Sequence, residues 1–377
     1  MRKDAILARI SSFFKIDNAP AVLASMPTKD LNSLLIYLYE EKVGRLTILD
    51  ILRQSVQSRF VKAAGIPQRR LVEFDHLAYQ LLPEDYEGIE LSPVAPLGIN
   101  HVLAGTNQKN IMVATRNVEV IADPSTSLAL ECAFRRKEMI DGEVEQSPVR
   151  MATSLRNIRT QSFSHIPGFR SHFRIFALAT AWCEPANDPI HIAMMVEHIQ
   201  YYLQLIAQLS DVGYSFSDIT VSVSDIRISE AMIRQHQMDR SCLGRETQNK
   251  GFSLFHKAGI SIPARITDLN ELSTEEMRSH KIGYYISHLK VVEERGLKQC
   301  RAQNPNVTFF FDLERLAGIG YYRNLCFKIT ASNDRGDEYP LVDGGMTDWA
   351  SKLLRRKTEM LMVSGVGTEL VCQNFRG

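Results

Sequence analysis

The chain has 377 residues, 45% of them hydrophobic, which is enough to build a sizeable core and more than one domain. Lys+Arg 44 against Asp+Glu 43 leaves a formal charge of +1. That balance excludes a global electrostatic attraction to nucleic acid or to an anionic membrane.

Residues 1–68 read as a helical segment. Thr28 is placed to cap "KDLNSLLIYLYEEKVG", whose Leu31, Leu34, Leu35 and Leu38 recur at helical spacing before Gly44. Two amphipathic stretches follow, "TILDILRQSVQSRFVKAAG" and "RRLVEFDHLAYQLLP". The start of the chain, "MRKDAILARISSFF", mixes charge into its apolar positions and has no signal-peptide h-region. No run approaches the length of a membrane span. Six widely spaced cysteines without a C-x-x-C pair read as reduced thiols, so a cytoplasmic location is expected.

From Tyr86 the texture changes. "YEGIELSPVAPLG" is extended and broken by prolines, and "NIMVATRNVEVIADP" holds two strand-like runs. "PSTSLALECAFRRK" opens a helix at Pro124. "HFRIFALATAW" is apolar enough for a buried strand, although periodicity alone leaves a helix open. "DPIHIAMMVEHIQYYLQLIAQLSDVG" is the clearest helix, from Asp188-Pro189 to Gly213. "DITVSVSD" alternates as a strand. Residues 231–300 are polar and mostly helical, with a capping box of Ser273 and Glu276, and read as an insertion. Strands return in "VTFFFDL", "YYRNLCFKITA" and "EMLMVSGVG". The expected fold is α+β, a mixed and mainly antiparallel sheet flanked by helices, with core parts at 69–230 and 301–377.

Generic chemistry is scarce. There is no phosphate loop and no nucleophile elbow. His191 and His198, seven residues apart on one helix, are too far apart to share a metal, so no metal ligand is assigned. The basic runs "FRRKE" (134–138) and "LLRRK" (353–357) are expected to be solvated helix ends.

The order of segments resembles the catalytic core of class II aminoacyl-tRNA synthetases of the histidyl branch, which includes the synthetase-like regulatory subunit of ATP phosphoribosyltransferase. "LLPEDYEGIELSPVAP" is similar to motif 1, which implies a homodimer interface around Pro93. In "VIADPSTSLALECA", Thr126 matches the threonine that contacts the substrate amino group. "RNIRTQSFSHIPGFRSHFRIF" resembles motif 2, with Arg159, or alternatively Arg156, as the α-phosphate arginine and Gln161 in place of a glutamate. In register with Phe176, the two imidazole readers become Leu178 and Trp182. "LAGIGYYRNLCFKI" resembles the histidyl-specific segment and keeps Tyr321 and Tyr322. Ala317 stands where that segment has a catalytic arginine. "DGGMTDW" keeps the tight Gly344-Gly345 pair and Asp348 but has Met346 for an arginine. "SGVGTEL" resembles motif 3, with Gly365 and Gly367 as nucleotide-binding glycines and Leu370 for the adenine-stacking arginine.

The resemblance implies a synthetase-derived protein lacking the anticodon-binding domain. It would be a non-catalytic regulator of a biosynthetic complex, holding an unknown small molecule and no tRNA. The alternative is an ATP- and Mg-dependent enzyme that activates a small amino or carboxylic acid as an adenylate.

Overall fold

The computed structural model describes residues 3–143, 147–161, 170–185, 189–239 and 252–376. Asp188, Cys242 and the centre of the motif 2-like loop, 162–169, lie outside the described residues.

Nine strands form one sheet in the order β1-β5-β6-β12-β11-β10-β7-β9-β8. They are β1 (Tyr86–Gly88), β5 (Val149–Ile158), β6 (His172–Cys183), β7 (Ser217–Asp225), β8 (Arg265–Ile266), β9 (Thr308–Asp312), β10 (Leu325–Ser332), β11 (Glu338–Thr347) and β12 (Glu359–Gly367). Only β1–β5 and β7–β9 pair in parallel; the other six pairs are antiparallel. A separate small sheet contains β2 (Val94–Pro96), β3 (Val113–Ala114) and β4 (Val118–Val120). This is the α+β architecture expected, and "HFRIFALATAW" resolves to a strand in the middle of the large sheet.

Alternation along the strands sorts the core into two layers. Phe176, Leu178 and Trp182 of β6 pack with Met362 and Val366 of β12 against the long helix His191–Asp211. Ala177, Ala179 and Ala181 point the other way, with Leu361 and Val363, toward Trp349 and the helix Pro124–Asp141. That helix starts as its sequence implies: the Asp123 side chain accepts from the Ser125 N–H, and Pro124 occupies the first turn.

Several local expectations change. Thr28 lies inside its helix, whose N-cap position is Pro27. "TILDILRQSVQSRFVKAAG" is helical only over Ile48–Gln57, where Thr47 and Asp50 form a capping box that the sequence reading missed. Neither of the helices Thr28–Val43 and Ile48–Gln57 buries a residue. The pair Gly344-Gly345 makes no turn; it sits within β11. A Cβ on Gly345 would stand 2.6 Å from the Cβ of Cys326 and 2.7 Å from Tyr322, so these glycines serve close packing. "FRRKE" is no solvated end: Arg136 is fully buried and donates from Nε and Nη2 to Glu359, also fully buried, at 2.9 Å each. The capping box of Ser273 and Glu276 is present as read.

Candidate functional site

A cavity of about 580 Å³ opens on the face of the sheet away from the long helix. Its floor is laid by register: Gly365 of β12 and Asp343 of β11, both lining the cavity, are cross-strand partners. Gly365 keeps the floor low, because a Cβ there would meet Ile175 at 2.9 Å. Val363, Ile319, Pro340, Leu341 and Leu370 supply apolar wall.

The loop before β10 builds one side. Gly318 and Gly320 take φ of +97° and +82°, a region open to glycine, and this turns Tyr321 and Tyr322 inward. The two rings meet edge to face at 4.9 Å, and Tyr321 meets Trp349 likewise. Tyr321 donates to Asp123 Oδ2 at 2.9 Å; Tyr322 donates to Asp343 Oδ1 at 2.7 Å. Burial, reinforced by these carboxylates, pushes both phenols well above their ordinary range, so they act as fixed donors.

Arg315, two residues before Ala317, was not singled out by the sequence reading. It is 4% exposed, lies 5.5 Å from the Tyr322 ring centroid, and donates to Asp343 Oδ1 at 2.7 Å and to the Ala317 carbonyl at 2.9 Å. A positive charge therefore stays beneath this loop although Ala317 has none, and Asp343 uses it. Met346 is no ligand position at all, being 2% exposed within the core.

On the opposite wall stand Arg159, Arg170 and Arg174. Arg159 donates from Nε to the Ala122 carbonyl at 2.9 Å and lies 5.2 Å from the centroid of Phe173. Its two terminal nitrogens hydrogen-bond to none of the described residues. Arg174 is held by Asp75 at 2.7 Å. Arg156 is committed elsewhere, to Glu369 and to His172 Nδ1 at 2.9 Å. Of the two motif 2 arginines considered, Arg159 is the one on the cavity wall.

Gln161, Gly365 and Gly367 also line the cavity. Thr126 does not: it is fully buried, and its hydroxyl donates to the Asp123 carbonyl at 2.9 Å. Asp123 and Ser125 face the cavity at that turn instead. Leu178 and Trp182 correct similarly. Both lie on the helix-covered side, and the cavity residues of β6 are Phe173, Arg174 and Ile175. A one-residue shift in a strand exchanges one face for the other. The expectation of an apolar wall survives on different residues.

Beneath the sheet, His198 is fully buried and bonds Thr180 Oγ1 at 2.9 Å and Ser364 Oγ at 2.7 Å. Burial lowers its pKa to about 3, so it is a neutral core histidine.

No protein-family model and no curated protein matches the sequence. Solved structures do match in fold. An ATP phosphoribosyltransferase regulatory subunit/histidyl-tRNA synthetase from Bacillus halodurans is 14% identical, with a TM-score of 0.59 over 84% of this chain and 82% of that one. A histidine–tRNA ligase subunit from Alicyclobacillus acidocaldarius is 14% identical at 0.59, covering 82% and 94%. Histidyl-tRNA synthetase from a Nostoc species is 14% identical at 0.56, covering 82% and 73%. The chain has the class II synthetase-like α+β fold shared by these structures.

Proposed function

We propose that the chain is a non-catalytic ligand-binding protein on a histidyl-synthetase scaffold, acting as a regulatory subunit of a biosynthetic complex. The observation that carries this reading is the state of the cavity's cations. Arg174 on the wall and Arg315 beneath the loop are neutralised by Asp75 and Asp343, and Arg156 beside the cavity by Glu369, which leaves Arg159 and the exposed Arg170 as the cavity's available cations. Among the described residues Arg159 has no partner for its terminal nitrogens, which suit one anionic group through a planar guanidinium. Stabilising a transferring phosphoryl group calls for several preorganised charges, and losing one such donor costs about 100- to 1000-fold in rate. With Ala317 and Leu370 in place of arginines, adenylate chemistry is not expected.

The ligand is expected to be a small anion with an apolar body, its charge at Arg159 and its body against Phe173, Ile175 and Val363. ATP with magnesium would bind only as a ligand, a phosphate on Arg159 and the chain approaching Gly365 and Gly367. The fold neighbour from Bacillus halodurans, named in part as an ATP phosphoribosyltransferase regulatory subunit, supports a partner of that enzyme class. A homodimer through the segment around Pro93 accords with exposed Leu97, Val102 and Val113 on and beside the small sheet.

Thermal shift with ATP and the twenty amino acids tests the site, because a ligand that binds the folded state raises its stability. The expected result is a shift with one or a few of them that Arg159→Ala abolishes. Shifts that survive Arg159→Ala, or none at all, would overturn the site. Addition to an ATP phosphoribosyltransferase catalytic subunit should change that enzyme's activity, and light scattering should return a dimer mass.

A further inference from the structure

On the covered side of the sheet, two histidines from distant parts of the chain meet. His191 begins the long helix, and His288 lies on the helix Gly283–Val292, 97 residues later. Their Nε2 atoms are 3.3 Å apart. Each outer nitrogen faces a carboxylate. His191 Nδ1 is 2.5 Å from Glu184 Oε1, and His288 Nδ1 is 3.1 Å from Asp225 Oδ2. Glu184 is fixed in turn by the indole N–H of Trp182, and Asp225 by Arg227 through Nε at 2.8 Å.

Imidazole nitrogens bound to a tetrahedral zinc ion lie about 2.0–2.1 Å from it, which sets them roughly 3.3–3.4 Å from each other. The observed separation has that value and is long for an N–H hydrogen bond, whose usual range ends near 3.2 Å. A carboxylate on the far nitrogen of each ring is the arrangement that orients a metal-binding histidine and raises its basicity. His288 Nδ1 has a donor as well as an acceptor beside it, Arg227 Nη2 at 3.1 Å and Asp225. Either tautomer of His288 is therefore satisfied. When its N–H points to Asp225, Nε2 presents a lone pair toward His191, and no proton need leave the ring.

We propose that His191 and His288 form a binding site for a divalent transition-metal ion of the zinc class, with water completing the coordination. Among the described residues no group of three His, Cys, Asp or Glu side chains is placed to hold a metal, so the two rings are the protein's contribution. The side chains are 17% and 20% exposed, which leaves solvent a way in. The ion would clamp the helix Gly283–Val292 to the first turn of the long helix His191–Asp211. Copper and nickel should bind by the same pair, copper most tightly.

The experiment is calorimetric titration of ZnCl2 into untagged, EDTA-washed protein at pH 8, with circular dichroism of every variant. Expected is one ion per chain, saturable, with His191→Ala and His288→Gln each abolishing it. Glu184→Gln should weaken binding about 10- to 100-fold. The exposed His256→Ala should leave it unchanged. Absence of saturable zinc, nickel or copper binding by the parent protein would overturn the site. So would binding that persists in a folded His191→Ala or His288→Gln variant.

Discussion

The two faces of the nine-stranded sheet use the same strands for opposite purposes. On the helix-covered face polar groups close on each other: Tyr86, Thr180, His198, Ser364 and Tyr202 form one hydrogen-bonded chain. On the cavity face they stay open. Asp343 offers a carboxylate that is 45% exposed, and Arg159 two nitrogens without a partner among the described residues. Closed networks specify a core, because an unpaired buried polar group is costly; open ones are available to a ligand. Closed, buried networks, including the Arg136–Glu359 pair on the cavity side of the sheet, should therefore govern stability, and the open cavity wall should govern binding.

Substitutions can break that division. The largest effect belongs to Arg136→Met. It leaves Glu359 as an unpaired buried charge, and urea unfolding should register a loss of about 3–5 kcal/mol. Next comes His198. Its folded-state pKa of about 3 lies below the ordinary value of 6.5. The unfolded chain therefore takes up the proton first, and stability should fall as pH drops from about 6.5 toward 3, by a few kcal/mol. A folded His198→Gln variant should have a flatter profile across that window.

Gly345→Ala should cost about 1–3 kcal/mol by overpacking against Cys326 and Tyr322, and it should weaken ligand binding by moving Tyr322. Arg159→Ala should be the mildest for folding, within about 1 kcal/mol, since it loses one hydrogen bond to the Ala122 carbonyl. Its effect should appear in ligand-induced thermal shifts. If Arg159→Ala unfolded the protein while His198→Gln left it untouched, that division would be reversed.

The sequence made the main elements legible where the pattern was long or well punctuated. The helix His191–Asp211 and the apolar strand β6 stand where they were read, whereas the strand read over "YYRNLCFKITA" begins only at Leu325 and leaves Tyr321 and Tyr322 in the loop before it. Failures came from two physical sources. Strand faces alternate, so Leu178 and Trp182, in step with Phe176, fall on the helix-covered face, and at the start of the helix Pro124–Asp141 it is Asp123 and Ser125, not Thr126, that face the cavity. Long-range pairing has no local signature. Nothing beside Arg136 announces Glu359, nothing beside Arg315 announces Asp343, and nothing near His191 announces His288. Gly344-Gly345 looked like a turn because glycine pairs usually mark one, yet here close packing against Phe327, Ser364 and Tyr322 requires them.

ATP–pyrophosphate exchange across the twenty amino acids bears most directly on whether the cavity binds without reacting. A cavity that has lost the arginines at Ala317 and Leu370, and whose Arg174 and Arg315 are neutralised by the chain's own carboxylates, should show no exchange above background with histidine or any other amino acid, even where a thermal shift reports binding. Sustained exchange that disappears in Arg159→Ala would contradict the non-catalytic reading and make the cavity an adenylate-forming active site.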